Sequence, residues 1–288
     1  MPARVLSAAA AAGLSLVAVV SAAPPDPAAL AEALAAGDAH YARRAEGALG
    51  GTALPFHADG ALVEYRRALA LDPGSLDARL RLMRAVFFRT GFCGPMDERD
   101  EIRLLDEAKR VAEEAVALLD AETGRRKGRV PNGSAIAALP AAETYLWAAV
   151  SWSQWAVYHR LSGAWQGAPK RIRELAEAVL SIDPGTAQSG ASIILGRLHC
   201  EAPRVPLLTG WVSREKGIAY LRQGLARAPD NQALVYFLAD ALLTWEPARR
   251  DEARALLERC LASTPRSDWQ VEDAHYAEQA RDRLATLR

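Results

Sequence analysis

The prolines that end helices constrain this chain more than any other feature. Leu71-Asp72-Pro73-Gly74 and Ile182-Asp183-Pro184-Gly185 carry the same stop signal, Pro closing an apolar amphipathic run. Ala228-Pro229-Asp230-Asn231 and Thr264-Pro265-Arg266-Ser267 end two more, and Pro229 and Pro265 stand 36 residues apart. Helical segments bounded this way come in pairs. A pair of that size cannot bury its apolar stripe alone, so the pairs must stack on one another.

The clearest stretch is Ser189 to Ala262, with a long internal loop holding Pro203, Pro206, Gly210 and Trp211. Around it the pattern predicts helices over 28–48, over 59–71 with Asp59 as N-cap, over 76–90 and over 97–119. Further helices are expected at 141–161 and 170–182, with 162–170 as a loop. Residues 120–139, with Arg125-Arg126-Lys127, read as a solvated excursion. Five helix pairs result, plus a polar final helix over about 267–287 that suits a terminal cap with a wet outer face. Half the chain is hydrophobic, Ala and Leu are abundant, and β-type alternation is nearly absent. The expected fold class is all-α, a tetratricopeptide-like α-solenoid. Thirty-five basic and 35 acidic residues give a net charge of zero. The balance points to neither nucleic acid nor an anionic membrane surface.

Residues 1–22 read as a signal peptide: Arg4, the uncharged run Leu6 to Val20, then small residues at Val20-Ser21-Ala22. Cleavage after Ala22 and a periplasmic or secreted protein are expected, with 23–288 as one helical-repeat domain. An uncleaved N-terminal membrane anchor is the alternative, although the run falls short of the ~20 residues of a bilayer span. Three cysteines, Cys93, Cys200 and Cys260, leave at least one thiol unpaired. Cys260 shares an apolar stripe with Ala253, Leu256 and Leu257. A bond between Cys93 and Cys200 is conceivable, but in an open solenoid they stand two repeats apart.

No catalytic constellation stands out. There is no G-x-S-x-G elbow, no phosphate-binding glycine spacing, and no pair of His at i, i+3 or i+4 among the five. The chain reads as a non-enzyme without cofactor or metal. Two candidate binding clusters remain. On the helix over 141–161, Tyr145, Trp152, Trp155 and His159 share one face with Ala148. Leu146, Trp147, Val150, Val157 and Leu161 share the other. Such a helix is either buried on all sides or turns its Trp face to a ligand cavity. The second cluster brings Arg197, Arg204 and Arg214 close to His199 and Trp211, a set able to hold a carboxylate. Its structural alternative pairs Arg197 with Glu201 and uses Trp211 to plug a repeat interface.

Residues 141–285 resemble the T-component (TatT-like) family of TRAP transporters. The likeness lies in Trp147, Trp152 and Trp155, in KRIRELAEAVLSIDPG, SGASIILGRLHCEAP, SREKGIAYLRQGLARAPDN and DEARALLERCLAS, and in Trp269. Residues 28–120 match only as generic tetratricopeptide-like sequence. The resemblance implies a periplasmic helical-repeat protein that partners an extracytoplasmic solute-binding protein, and a homotrimer with an apolar pore for a hydrophobic ligand. No lipobox is present, unlike many members. The expected function is an exported scaffold for a partner protein, an accessory of a TRAP-type system. The alternative is a carrier of a small hydrophobic or carboxylate-bearing ligand in a Trp-lined cavity.

Overall fold

The computed structural model describes residues 26–122 and 140–287; the side chains of Arg160 and Leu161 lie outside that description. The signal segment and Arg125-Arg126-Lys127 also lie outside the described residues. The helices are α1 Pro27–Ala42, α2 Pro55–Leu71, α3 Leu76–Phe92, α4 Glu98–Glu122, α5 Ala141–Tyr158 and a short α6 Arg160–Trp165. They continue as α7 Ala168–Ile182, α8 Thr186–Glu201, α9 Arg214–Arg227, α10 Gln232–Trp245, α11 Arg250–Ala262 and α12 Gln270–Ala285. Short 3₁₀ turns precede α11 and α12. Among the described residues no strand forms beyond two isolated bridges, and no helix is long and apolar enough to cross a membrane.

Local chemistry explains most boundaries. Asp26, Ser75, Ser213 and Asn231 each accept a backbone N–H at a helix start. The LDPG and IDPG echoes are the same turn. Asp72 Oδ1 accepts from Gly74 N at 2.8 Å, and Asp183 Oδ1 from Gly185 N at 2.9 Å. Helix α2 begins at Pro55, four residues before the expected Asp59, because Pro at the first position supplies a helical φ without needing an N–H partner. Asp59 sits one turn inside and receives Arg89 Nε at 2.7 Å. Helix α1 stops at Ala42, ahead of the expected 48, as the chain turns through Gly47 at φ 70°. Helix α5 ends at Tyr158, and the supposed loop over 162–170 holds the end of α6 and the start of α7.

Pairs stack in chain order: α1 with α2, α3 with α4, α5 with α7, α8 with α9 and α10 with α11. Helices α8 and α9 meet through glycines. A Cβ on Gly196 would stand 2.5 Å from Leu221 Cγ, and one on Gly217 2.5 Å from Cys200 Sγ. Cys260 is buried beside Ala253 and Leu257, as its stripe suggests. All three cysteines are free, so Cys93 and Cys200 do not pair.

The C-terminal helix is where the architecture departs from an open solenoid. Instead of presenting a wet outer face, α12 buries Val271, Glu272, Asp273 and Ala280, packs on α10 and α11, and reaches α3 and the loop that follows α1. Gly51 N donates to Glu278 Oε1 at 2.9 Å, and the Phe92 and His275 rings stand 5.2 Å apart, edge to face. Buried Arg44 donates to Asp268 O, lies 3.6 Å from Glu272 Oε1 and stacks 4.6 Å over Tyr41. Arg266 grips buried Asp273 through Nε at 2.8 Å and Nη2 at 2.5 Å. The stack therefore curls until its last helix meets α3 and the loop after α1, leaving a concave interior.

Candidate functional site

That interior is an apolar groove of about 820 Å3. Its wall carries a run of aromatic rings from four helices. Trp147 of α5 lies 5.5 Å from Phe87 of α3, and Phe87 lies 5.3 Å from Phe92. Phe92 lies 6.4 Å from Tyr276 of α12, and Tyr276 lies 5.4 Å from Phe237 of α10. Leu146, Val150, Ile194 and Leu198 fill between them. The volume and lining fall in the range of sites for drug-sized ligands or one apolar peptide segment.

Helix α5 is amphiphilic in an unexpected sense. The face bearing Tyr145, Trp152, Trp155 and His159 turns away from the groove and packs on α4. Tyr145 OH donates to Asp120 Oδ1 at 2.8 Å and Trp155 Nε1 to Asp106 Oδ1 at 2.8 Å. His159 stacks on Trp155 with ring centres 4.5 Å apart. Lys109 Nζ stands 4.3 Å from the Trp152 ring. Tyr145, Trp152 and Trp155 are buried. The opposite face, with Leu146, Trp147, Val150 and Val157, lines the groove.

The second cluster does come together, around the end of α8, but its members serve each other. Arg197 lines the groove and is held by Glu201 through two hydrogen bonds, 2.7 and 3.0 Å, with its guanidinium 4.5 Å over Phe237. His199, two residues on, faces elsewhere, as i, i+2 helical positions must. Its Nδ1 accepts from Ser213 N at 3.0 Å, and Trp211 stands edge-on at 5.3 Å. Burial, then the charges of Lys216, Arg173 and Arg214, push His199 below its ordinary value and favour its neutral form. Arg214 caps α8 by donating to the carbonyls of His199 and Ala202, the latter at 2.9 Å. Arg204 donates to Gly210 O at 3.1 Å, and Trp211 donates to Leu208 O at 3.0 Å while stacking under Arg173 at 4.1 Å. Only Arg197 of this cluster reaches the groove wall.

At the groove's polar end α8 opens with Ala187, Gln188 and Ser189 in the left-handed region, φ 43° to 66°. Such backbone costs about 1–2 kcal/mol per residue and persists because neighbours hold it. Asn231 Nδ2 donates to Gln188 O at 2.9 Å, and Arg266 Nη1 reaches Gln188 Oε1. Among the described residues no group of three His, Cys, Asp or Glu could hold a metal. Burial raises the thiols of Cys93, Cys200 and Cys260 to about 11, leaving them protonated and unreactive at neutral pH.

No family model matches the chain, and no curated protein matches it. Among solved structures, it is similar to the MamA protein at 14% identity and a TM-score of 0.43, over 85% of this chain and 92% of that one. It is also similar to TTC0263, a thermophilic TPR protein of Thermus thermophilus, at 18% identity. That match has a TM-score of 0.52 and covers 89% of this chain and 97% of that one. The TTC0263 match shows that the fold is all-α and tetratricopeptide-like.

Proposed function

We propose that this protein works by binding, its concave groove receiving an apolar segment of a partner protein. The observation that carries this reading is the aromatic run Trp147–Phe87–Phe92–Tyr276–Phe237 on one continuous apolar wall. The described cations that line it each have a carboxylate neighbour: Arg197 has Glu201, Arg266 has Asp273 and Lys170 has Glu174. An apolar guest meets no desolvation penalty from an unpaired charge there. The finer reading is an exported accessory of a TRAP-type transport system, with a periplasmic solute-binding protein as partner and a trimeric assembly. The TatT-like stretches over 141–285 support it.

The second reading is a carrier of a small hydrophobic or carboxylate-bearing ligand. The groove's volume favours it, since roughly 300–1,000 Å3 is the usual size of a small-molecule site. The test is crosslinking and co-purification from the host, alongside native mass spectrometry. The scaffold reading expects a periplasmic binding protein to be captured, and capture to fall for Val157→Asp, a rim substitution exposed enough to spare the fold. A retained small molecule with no protein partner overturns it in favour of the carrier.

A further inference from the structure

The groove has an unusual rim. Val157, Val205, Leu207 and Leu208 line it and yet are exposed to solvent, so they stand at its mouth. Trp165, next to the lining residue Ala164, is 90% exposed. Leu207 is wholly exposed and sits at φ 69°, a strained backbone for a Leu that holds its side chain outward. Soluble surfaces seldom gather so many large apolar side chains in one place without a use for them.

Charge bears on what could cover them. The two rim segments, 162–173 and 202–214, contain Lys170, Arg171, Arg173, Arg204 and Arg214 and no Asp or Glu. Arg173 stacked on Trp211 ties the segments into one surface. Neighbouring carboxylates are partly taken up: Glu174 lies 3.8 Å from Lys170, Glu177 3.9 Å from Arg173, and Glu201 is bound to Arg197. Among the described residues Arg171 and Arg204 have no carboxylate partner. The chain's zero net charge averages over this local excess. Large apolar and aromatic side chains projecting among five cations, Arg171 and Arg204 of them without a carboxylate partner, form the composition that inserts into an anionic lipid interface.

We propose that this rim docks the protein on a lipid bilayer carrying anionic headgroups, with the groove's mouth toward the membrane. The full chain should partition onto vesicles of phosphatidylglycerol and phosphatidylcholine, more weakly onto phosphatidylcholine alone, and less as salt rises. Trp165→Ser/Leu207→Ser/Leu208→Ser should lower the partition coefficient at least about tenfold, with unchanged far-UV circular dichroism and melting. Arg171→Gln and Arg204→Gln should each cost about fivefold on the anionic vesicles only. The N-terminal apolar run is common to all these proteins, so the differences report the rim. Equal partition of the triple variant and the parent overturns the proposal. So does a rim substitution that leaves vesicle binding intact and changes the sedimentation coefficient, which would make the rim a contact between copies.

Discussion

Substituting Gly51 by Ala tests the return of α12 to the start of the chain. A Cβ at Gly51 would lie 2.4 Å from His275 Cα, 2.6 Å from its N and 2.8 Å from its Cβ. Ordinary carbon contacts are about 3.5–4.0 Å, so the helix must retreat by about 1 Å or more. Backbone atoms are what the methyl meets, and no rotamer change relieves it. The retreat loosens the Phe92–His275 contact and the Gly51–Glu278 hydrogen bond together. Overpacking of this kind costs about 1–3 kcal/mol, and a protein of this size loses about 2–4 °C in Tm per kcal/mol. Calorimetry should record a fall of about 2–12 °C, and amides of 270–285 should exchange faster with deuterium. Gly91→Ala is the control. Its Cβ would find only Gln154 Nε2, at 3.9 Å, and a helical Gly→Ala change should stabilise by up to about 1 kcal/mol. If Gly51→Ala melts with the parent and α12 keeps its protection, the contact does not exist in solution.

Other outcomes follow from single contacts. Arg266→Ala strands the buried Asp273 carboxylate and should cost about 3–5 kcal/mol in urea unfolding, while a second change, Asp273→Asn, should restore part of it. Trp152→Ala should cost about 3–5 kcal/mol, because its ring is buried against α4. Trp165→Ala, at an exposed ring, should move Tm little, and an equal loss for both would refute the placement of α5 and α6. Burial raises the Glu272 carboxyl above its ordinary 4.5, against the opposing charge of Arg44. The folded state then binds its proton to higher pH than the unfolded chain, so this group's contribution to stability falls as pH rises from about 4.5 through the folded pKa. Glu272→Gln should lose that decline, and a stability difference from the parent that stays flat across the window would sink the assignment.

The helix stops were legible because each is local: a Pro, an Asx turn, a Gly. LDPG and IDPG proved to be one hydrogen-bonded turn used twice. The faces of α5 were legible as two apolar faces, but which of them meets the groove depends on α4. Asp106 and Asp120, on a helix whose sequence shows only an amphipathic stripe, claim the Trp155 and Tyr145 polar atoms. The aromatic wall was hidden for a related reason. Phe87, Trp147, Phe237 and Tyr276 come from four helices, and no spacing in one dimension relates them. Arg197 and His199 looked like one cluster because they are close in sequence, whereas helical geometry turns them apart.

Helix α12 also changes how such an array comes undone. An open stack can fray from either end, one pair at a time, because each terminal unit has a single neighbour. Here the bond between Gly51 and Glu278 spans 227 positions of sequence, and it ties the last helix to the loop that follows α1. Fraying of α12 has to break that seam first, so this end should not peel away ahead of the rest as it would in an open stack. The entropy of closing so long a loop grows only slowly with its length. The cost should fall on speed, since so distant a contact is expected to form only after the repeats between its halves have ordered.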